Sequence, residues 1–166
     1  MDMPKPDSAV LARRDRIVAQ LLDILPAEAV IHDPTGTRAY ECDALTAYRC
    51  PPLAAVLPAT TDEVAAVLRL CHEEGVKVVP RGAGTSLAGG ALPTEDSIIL
   101  GVARMRAVLE TDYPNRFIRV QTGMTNLSVT GAVESDGFFY APDPSSQLAC
   151  AIAGNIAMNS GGAHCL

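Results

Sequence analysis

The chain has 166 residues, enough for one ordinary domain with a real core. Its hydrophobic fraction of 48% and charged fraction of 19% are those of a globular protein, not a disordered one. A net charge of -6, with no Trp and only 4% aromatics, speaks against nucleic-acid binding, which needs Lys and Arg for phosphates and rings for base stacking.

The N-terminal stretch MDMPKPDSAVLARRDRIVAQLLDIL carries charge throughout and lacks the apolar core of a signal peptide. No apolar run approaches the roughly 20 residues of a spanning helix, so a cytoplasmic protein is expected. A first helix is expected over about Ser8 to Leu25, with Leu11, Val18, Leu21, Leu22 and Leu25 as its apolar stripe. Arg13, Arg14 and Arg16 are expected on a wet face. Pro26 ends this helix. Ala29 to His32 reads as a short strand, and ECDALTAYRCPP as an ordered lead-in loop.

Leu53 to Leu57 is an apolar run suited to a buried strand. Thr60 and Glu63 have capping-box spacing, Val64, Val67, Leu68 and Cys71 recur at helical spacing, and Gly75 is placed to end the helix. Val76 to Val79 is again strand-like. Strand, helix and strand in so short a span make a compact βαβ unit with parallel strands and a right-handed crossover. Ser97 to Leu100 reads as a third buried strand. AVLETD and FIRVQTG flank the turn signal YPN, which predicts an antiparallel hairpin. Asn126 can cap a helix over about Leu127 to Ser135, with Gly137 at its end.

Between Pro80 and Pro93 stands PRGAGTSLAGGALP, directly after a predicted strand. It fails the dinucleotide fingerprint, because Leu87 occupies the third glycine position and no helix follows. It fails the Walker A pattern too, since Gly89-Gly90-Ala91 replaces Gly-Lys-Ser/Thr. Glycines still let several N–H groups converge on an anion, and Thr85, Ser86 and Arg81 add donors. The competing reading is a flexible surface loop. A second small-residue cluster, CAIAGNIAMNSGG, places Asn155 and Asn159 four residues apart, which on a helix would put both amides on one face. Upstream, Pro142 to Ser146 is a stiff turn with free hydroxyls. A packed turn or cap would explain each cluster separately. A large nucleotide cofactor would explain all three together.

The five cysteines (Cys42, Cys50, Cys71, Cys150 and Cys165) are odd in number and form no CxxC, which argues against a disulfide framework. Cys150, His164 and Cys165 are conceivable soft metal ligands, but small buried or loop residues are the better reading, and no metal is expected.

The stretches YECDALTAYRCPPLAAVLP, VVPRGAGTSLAGGALP and YAPDPSSQLACAIAGNIAMNSGGAHCL, with their spacing, cover nearly everything from Tyr40 onward. In combination they resemble the FAD-binding domain of the vanillyl-alcohol oxidase and p-cresol methylhydroxylase type. Within it the chain looks like the FAD-linked 2-hydroxyacid oxidases, the branch of the bacterial glycolate oxidase flavoprotein subunit. The resemblance implies an α+β fold that is not Rossmann: a small parallel βαβ subdomain, then the start of a mainly antiparallel FAD-binding subdomain. Residues 1–52 would form the N-terminal helix and lead-in, and residues 53–166 an incomplete FAD-binding domain.

The resemblance implies that Pro80, Arg81, Gly82, Ala83, Gly84, Thr85 and Ser86, with Gly89 and Gly90, wrap the FAD diphosphate. It implies that Pro142, Asp143, Ser145 and Ser146 line the flavin side, together with Cys150, Gly154, Asn155, Asn159, Gly161 and Gly162. Ala151 and Ala153 depart from this branch, which more often has Ser or Thr and Gly there. The loop lacks the histidine of covalently flavinylated relatives, so non-covalent FAD is expected.

Further implications are a small 2-hydroxyacid substrate such as glycolate or D-lactate, and partner subunits including an iron–sulfur protein, which could hold the protein peripherally on the inner membrane. The chain corresponds to roughly the first third of such proteins. Catalytic groups are expected in the remainder, and none of His32, His72 and His164 is assigned a catalytic role. Strands past about Ile98 are expected to leave unpaired edges and to be less well ordered. D-lactate and D-2-hydroxyglutarate dehydrogenases of the same superfamily, or a non-catalytic nucleotide-binding module, are the alternatives.

Overall fold

A computed structural model describes residues 3–164. In chain order the helices are α1 (Ser8–Leu11), α2 (Arg14–Ile24), α3 (Pro34–Thr37), α4 (Thr61–Glu74), α5 (Asn126–Gly131) and α6 (Ile152–Ala157). The strands are β1 (Val30–Ile31), β2 (Ala54–Val56), β3 (Lys77–Arg81), β4 (Ser97–Gly101), β5 (Val108–Asp112) and β6 (Phe117–Val120).

The first four strands form one sheet in the order β1-β2-β4-β3. β4 is parallel to both β2 and β3, while β1 runs antiparallel at one edge. The βαβ strands are therefore parallel as expected, but β4 lies between them. Its five residues are all buried and it is paired on both sides, so β4 is not one of the expected unpaired edges. Pro80 sits in β3, which pairs on one side only; an edge strand tolerates the missing N–H.

α4 follows its sequence signals at both ends. The Thr60 hydroxyl accepts from the Glu63 N–H at 3.2 Å, and the Glu63 carboxylate reaches back to the Ala59 N–H at 2.6 Å. Gly75 ends the helix at φ 65°, where Val76 N–H returns to the Cys71 carbonyl. The buried face comprises Val67, Leu70 and Cys71, so Leu68, expected inside, is exposed instead.

The expected first helix is two. Asp7 caps α1, the chain turns at Ala12 and Arg13, and α2 restarts at Arg14. The restart buries Ile17, Val18 and Leu21 and turns Leu22 outward. The arginines are not a simple wet face. Arg13 and Arg16 both pair with Glu74 at the end of α4, at 2.5 and 2.6 Å, and Arg14 donates to the His32 carbonyl. The two ion pairs dock α2 on α4, and the Arg14 bond ties it to the segment after β1, around a core of Ile17, Leu21, Val56, Val67 and Ile98.

β5 and β6 form the expected antiparallel hairpin, with a bulge between Val108 and Glu110. Thr125, not Asn126, caps α5, accepting from the Ser128 N–H. Asn126 is buried, and its amide donates to the Pro142 carbonyl at 2.9 Å. The helix stops at Gly131, and Gly137 (φ 80°) closes a separate short turn. A small cluster of Met124, Val129 and Ile152, with Ile118, Val120 and Tyr140 against it, holds this part together.

Candidate functional site

The glycine loop leaves β3 at the end of the sheet. Gly84 and Gly89 adopt φ of 71° and 74°, which side chains rarely accept. Among the described residues, the N–H groups of Ala83, Gly84, Thr85 and Ser86 have no acceptor, and the Thr85 hydroxyl has no partner. Four successive free donors in a partly exposed loop are the raw material of an anion-binding concavity.

Arg81 does not stand free beside this loop. Its Nη1 donates to the Cys42 carbonyl at 2.7 Å, and its guanidinium lies 5.6 Å from the centre of the Tyr40 ring. A Cβ at Gly84 would fall on that guanidinium, 2.5 Å from Cζ. The lead-in loop makes a second tie, from the Ala44 N–H to the Ser86 carbonyl at 3.2 Å. Asp43 stiffens this segment: one carboxylate oxygen accepts from the Leu45 N–H at 2.9 Å, and the other is buried without a partner. No periodic pattern in residues 40–50 signals this support. Its only marks are an Asp able to bond two residues ahead and the closing prolines.

The second cluster lies against the first. A Cβ at Gly82 would come within 3.2 Å of the Ala151 Cβ, and the Ser86 hydroxyl is 4.0 Å from the Met158 sulfur beyond the end of α6. Asn155, inside α6, is buried, and its Nδ2 has no partner. Asn159 lies outside the helix at φ 50° and is exposed, so the two amides do not share a helical face. The cause is the early stop of α6, where the Ser160 N–H returns to the Asn155 carbonyl. Gly154 is half-buried, whereas the Cys150 thiol belongs to a buried residue.

The third cluster joins the second through a bridge between Asp143 and Gly162, with the Asp143 N–H donating to the Gly161 carbonyl at 2.7 Å. A Cβ at Gly162, whose φ is 99°, would collide with the Asp143 backbone. The Asp143 carboxylate accepts from the His164 N–H at 3.1 Å and meets its Nδ1 at 2.8 Å. The backbone bond from His164 leads the influences that hold this carboxyl below its usual range. The hydroxyls of Ser145 and Ser146 have no partner among the described residues, and Pro142 presents its carbonyl to Asn126. His164 thus faces a carboxylate, Cys165 lies outside the described residues, and no metal-holding cluster occurs among the described residues.

All three clusters are therefore linked in one region. Free N–H groups suit a diphosphate, Ala151, Ala153 and Gly154 are small enough for a flat ring to come close, and the Asn155 amide is a buried donor lacking an acceptor. These features fit a flavin nucleotide.

Comparison with known proteins agrees. The family described as FAD binding domain matches residues 52–166. The glycolate oxidase subunit GlcD of Escherichia coli (strain K12) is 46% identical over 92% of this chain, and the chain spans 31% of that protein. A D-2-hydroxyglutarate dehydrogenase of Xanthomonas citri is 33% identical over 89% of the chain and 31% of its own length. Among solved structures, p-cresol methylhydroxylase with substrate bound aligns at a TM-score of 0.77 and 18% identity, over 90% of this chain and 30% of that one. That likeness establishes the fold, which is not a Rossmann fold. No described helix is long and apolar enough to cross a membrane. The chain belongs to the FAD binding domain family.

Proposed function

We propose that this member of the FAD binding domain family is the FAD-binding part of a flavin-dependent 2-hydroxyacid oxidoreductase of the glycolate or D-lactate type. The observation that carries the proposal is the meeting of the glycine loop, through Gly82 and Ser86, with the segment from Ala151 to Met158. Residues 53–166 hold the cofactor, and residues 1–52 supply the helix and lead-in that support it.

The N–H groups of Ala83 to Ser86 and the Thr85 hydroxyl receive the diphosphate, with Gly82, Gly89 and Gly90 allowing close approach. Asn155, Gly154 and the Ser145 and Ser146 hydroxyls face the flavin and its ribityl chain, and Asp143 orders that wall through His164. FAD, held without a covalent bond, supplies a two-electron acceptor for the hydride of the substrate carbon. The protein contributes position and electrostatics. Substrate binding and proton abstraction fall to residues outside this chain, which spans 31% of the GlcD relative. That relative is named a subunit, and we propose that this protein also passes electrons to partner subunits, an iron–sulfur protein among them, in the cytoplasm or peripherally at the inner membrane.

The 33% identity to a D-2-hydroxyglutarate dehydrogenase favours a second reading, with D-2-hydroxyglutarate as substrate. Purified full-length protein should show a flavin spectrum, release FAD on denaturation, and bleach anaerobically with glycolate or D-lactate. Bleaching by D-2-hydroxyglutarate alone would select the second reading. A colourless protein that takes up no added FAD would leave only a non-catalytic module.

A further inference from the structure

Arg81 precedes the glycine loop and carries the charge nearest to it, so an anion contact is its obvious role. The geometry points to a different one. We propose that Arg81 is a positioning residue: with Tyr40 and Cys42 it forms a brace beneath Gly84 that holds the glycine loop ready for the diphosphate. This inference rests on the FAD reading above and deepens it.

Three observations converge on the brace. Nη1 is committed to the Cys42 carbonyl at 2.7 Å. The guanidinium lies over the Tyr40 ring at 5.6 Å. The same group occupies the space beside Gly84 where a side chain would otherwise stand. Only a residue without a Cβ can sit there in the left-handed conformation while Arg81 packs beneath it. Gly84 and Arg81 therefore form one unit, and the Ala44 bond to the Ser86 carbonyl fixes the far end of the same stretch. Four donors that find no acceptor within the fold would otherwise sample many orientations. Holding them in advance lowers the ordering cost of binding.

An anion ligand and a brace make opposite demands. A ligand needs positive charge, which Lys supplies. A brace needs the planar fork and its stacking face, which Lys lacks. The test is FAD titration of full-length apoprotein, comparing Arg81→Lys, Arg81→Met, Tyr40→Leu and Tyr40→Phe at low and high salt. The brace predicts that Arg81→Met weakens FAD about tenfold, from the loss of a charged hydrogen bond, and that Arg81→Lys does so comparably, because an ammonium lacks the planar group that reaches the Cys42 carbonyl and covers the Tyr40 ring together. Tyr40→Leu should weaken it about threefold, and Tyr40→Phe, which keeps the ring, should restore wild-type affinity. Arg81→Met combined with Tyr40→Leu should be no worse than Arg81→Met alone. The salt dependence of FAD binding between about 0.05 and about 0.5 M should match wild type in Arg81→Met, because no charge pairing with the ligand was lost. Wild-type affinity in Arg81→Lys with a flatter salt dependence in Arg81→Met would overturn the brace in favour of a direct anion contact. Wild-type affinity in Arg81→Met would also overturn it. If wild-type apoprotein itself bound no FAD, the FAD reading would fall first.

Discussion

The part from α1 to β4 and the part from β5 to α6 are built to different degrees of closure. In the first, β4 is buried along its whole length, and Ile17, Leu21, Val56, Val67 and Ile98 pack as one core. In the second, a two-stranded hairpin and a small cluster leave Leu109 58%, Phe139 68% and Ile156 72% exposed. The chain has four Tyr and three Phe, yet Tyr113, Phe117, Phe138, Phe139 and Tyr140 all line one open cleft of about 280 Å³. A two-stranded ribbon is marginal without further cover. In the proposed reading the first part serves as the support and the second as one wall, with the proposed cofactor region where Gly82 and Ser86 meet Ala151 and Met158.

The comparison can be broken most strongly at the sheet. Ile98→Ala removes a fully buried side chain from the central strand and should cost about 3 kcal/mol in chemical denaturation. A cost below about 1 kcal/mol would mean that the sheet is not the support.

The seam comes next. Gly123 N–H donates to the Met105 carbonyl, and a Cβ there would press into the Val102 carbonyl, 2.8 Å from its carbon. Gly123→Ala should cost about 2 kcal/mol, because backbone has to move. Faster hydrogen exchange in β5 and β6, with β4 unchanged, would localise the damage to the second part.

Acid should act on the first part through Asp96, a buried carboxylate 2.7 Å from Lys77 Nζ and 2.9 Å from the Asp7 N–H. Burial raises its pKa, and the bonds from Lys77 and Asp7 outweigh burial, holding it well below the usual carboxylate range. A carboxyl depressed in the fold adds stability above its unfolded pKa of about 4 and loses it as pH falls toward the folded value. Asp96→Asn should therefore lower the melting temperature at pH 7, and the gap to wild type should shrink steadily below about pH 4. A gap independent of pH would remove the carboxylate from the account.

The smallest effect is expected at the open wall. Phe139→Ala should change stability by less than about 0.5 kcal/mol in this chain, despite the size of the ring.

The same division decides how much was legible in the sequence. Local signals carried the first part: Thr60 and Glu63 at the start of α4, Gly75 at its end, and the apolar run of β4. Strand order was not legible, because placing β4 between β2 and β3 depends on contacts far apart in sequence. The hairpin was legible from its turn. The cap at Thr125 was not, because Asn126 is an equally good capping residue and is instead drawn inward by the Pro142 carbonyl. At the site, the glycine loop stood out by composition, whereas the supporting role of Tyr40 and Cys42 did not. A carbonyl and a ring face in an irregular segment leave no pattern to read.

The central claim, that the loop from Gly82 to Gly90 holds the FAD diphosphate, is tested most directly by FAD titration of full-length Gly84→Val beside wild type, with melting curves of both apoproteins. Valine at φ 71° is disfavoured, and its side chain would displace the Arg81 guanidinium. The account predicts a melting temperature within a few degrees of wild type and FAD affinity reduced at least about tenfold, by some 1.4 kcal/mol. A folded variant that binds FAD as tightly as wild type would contradict it.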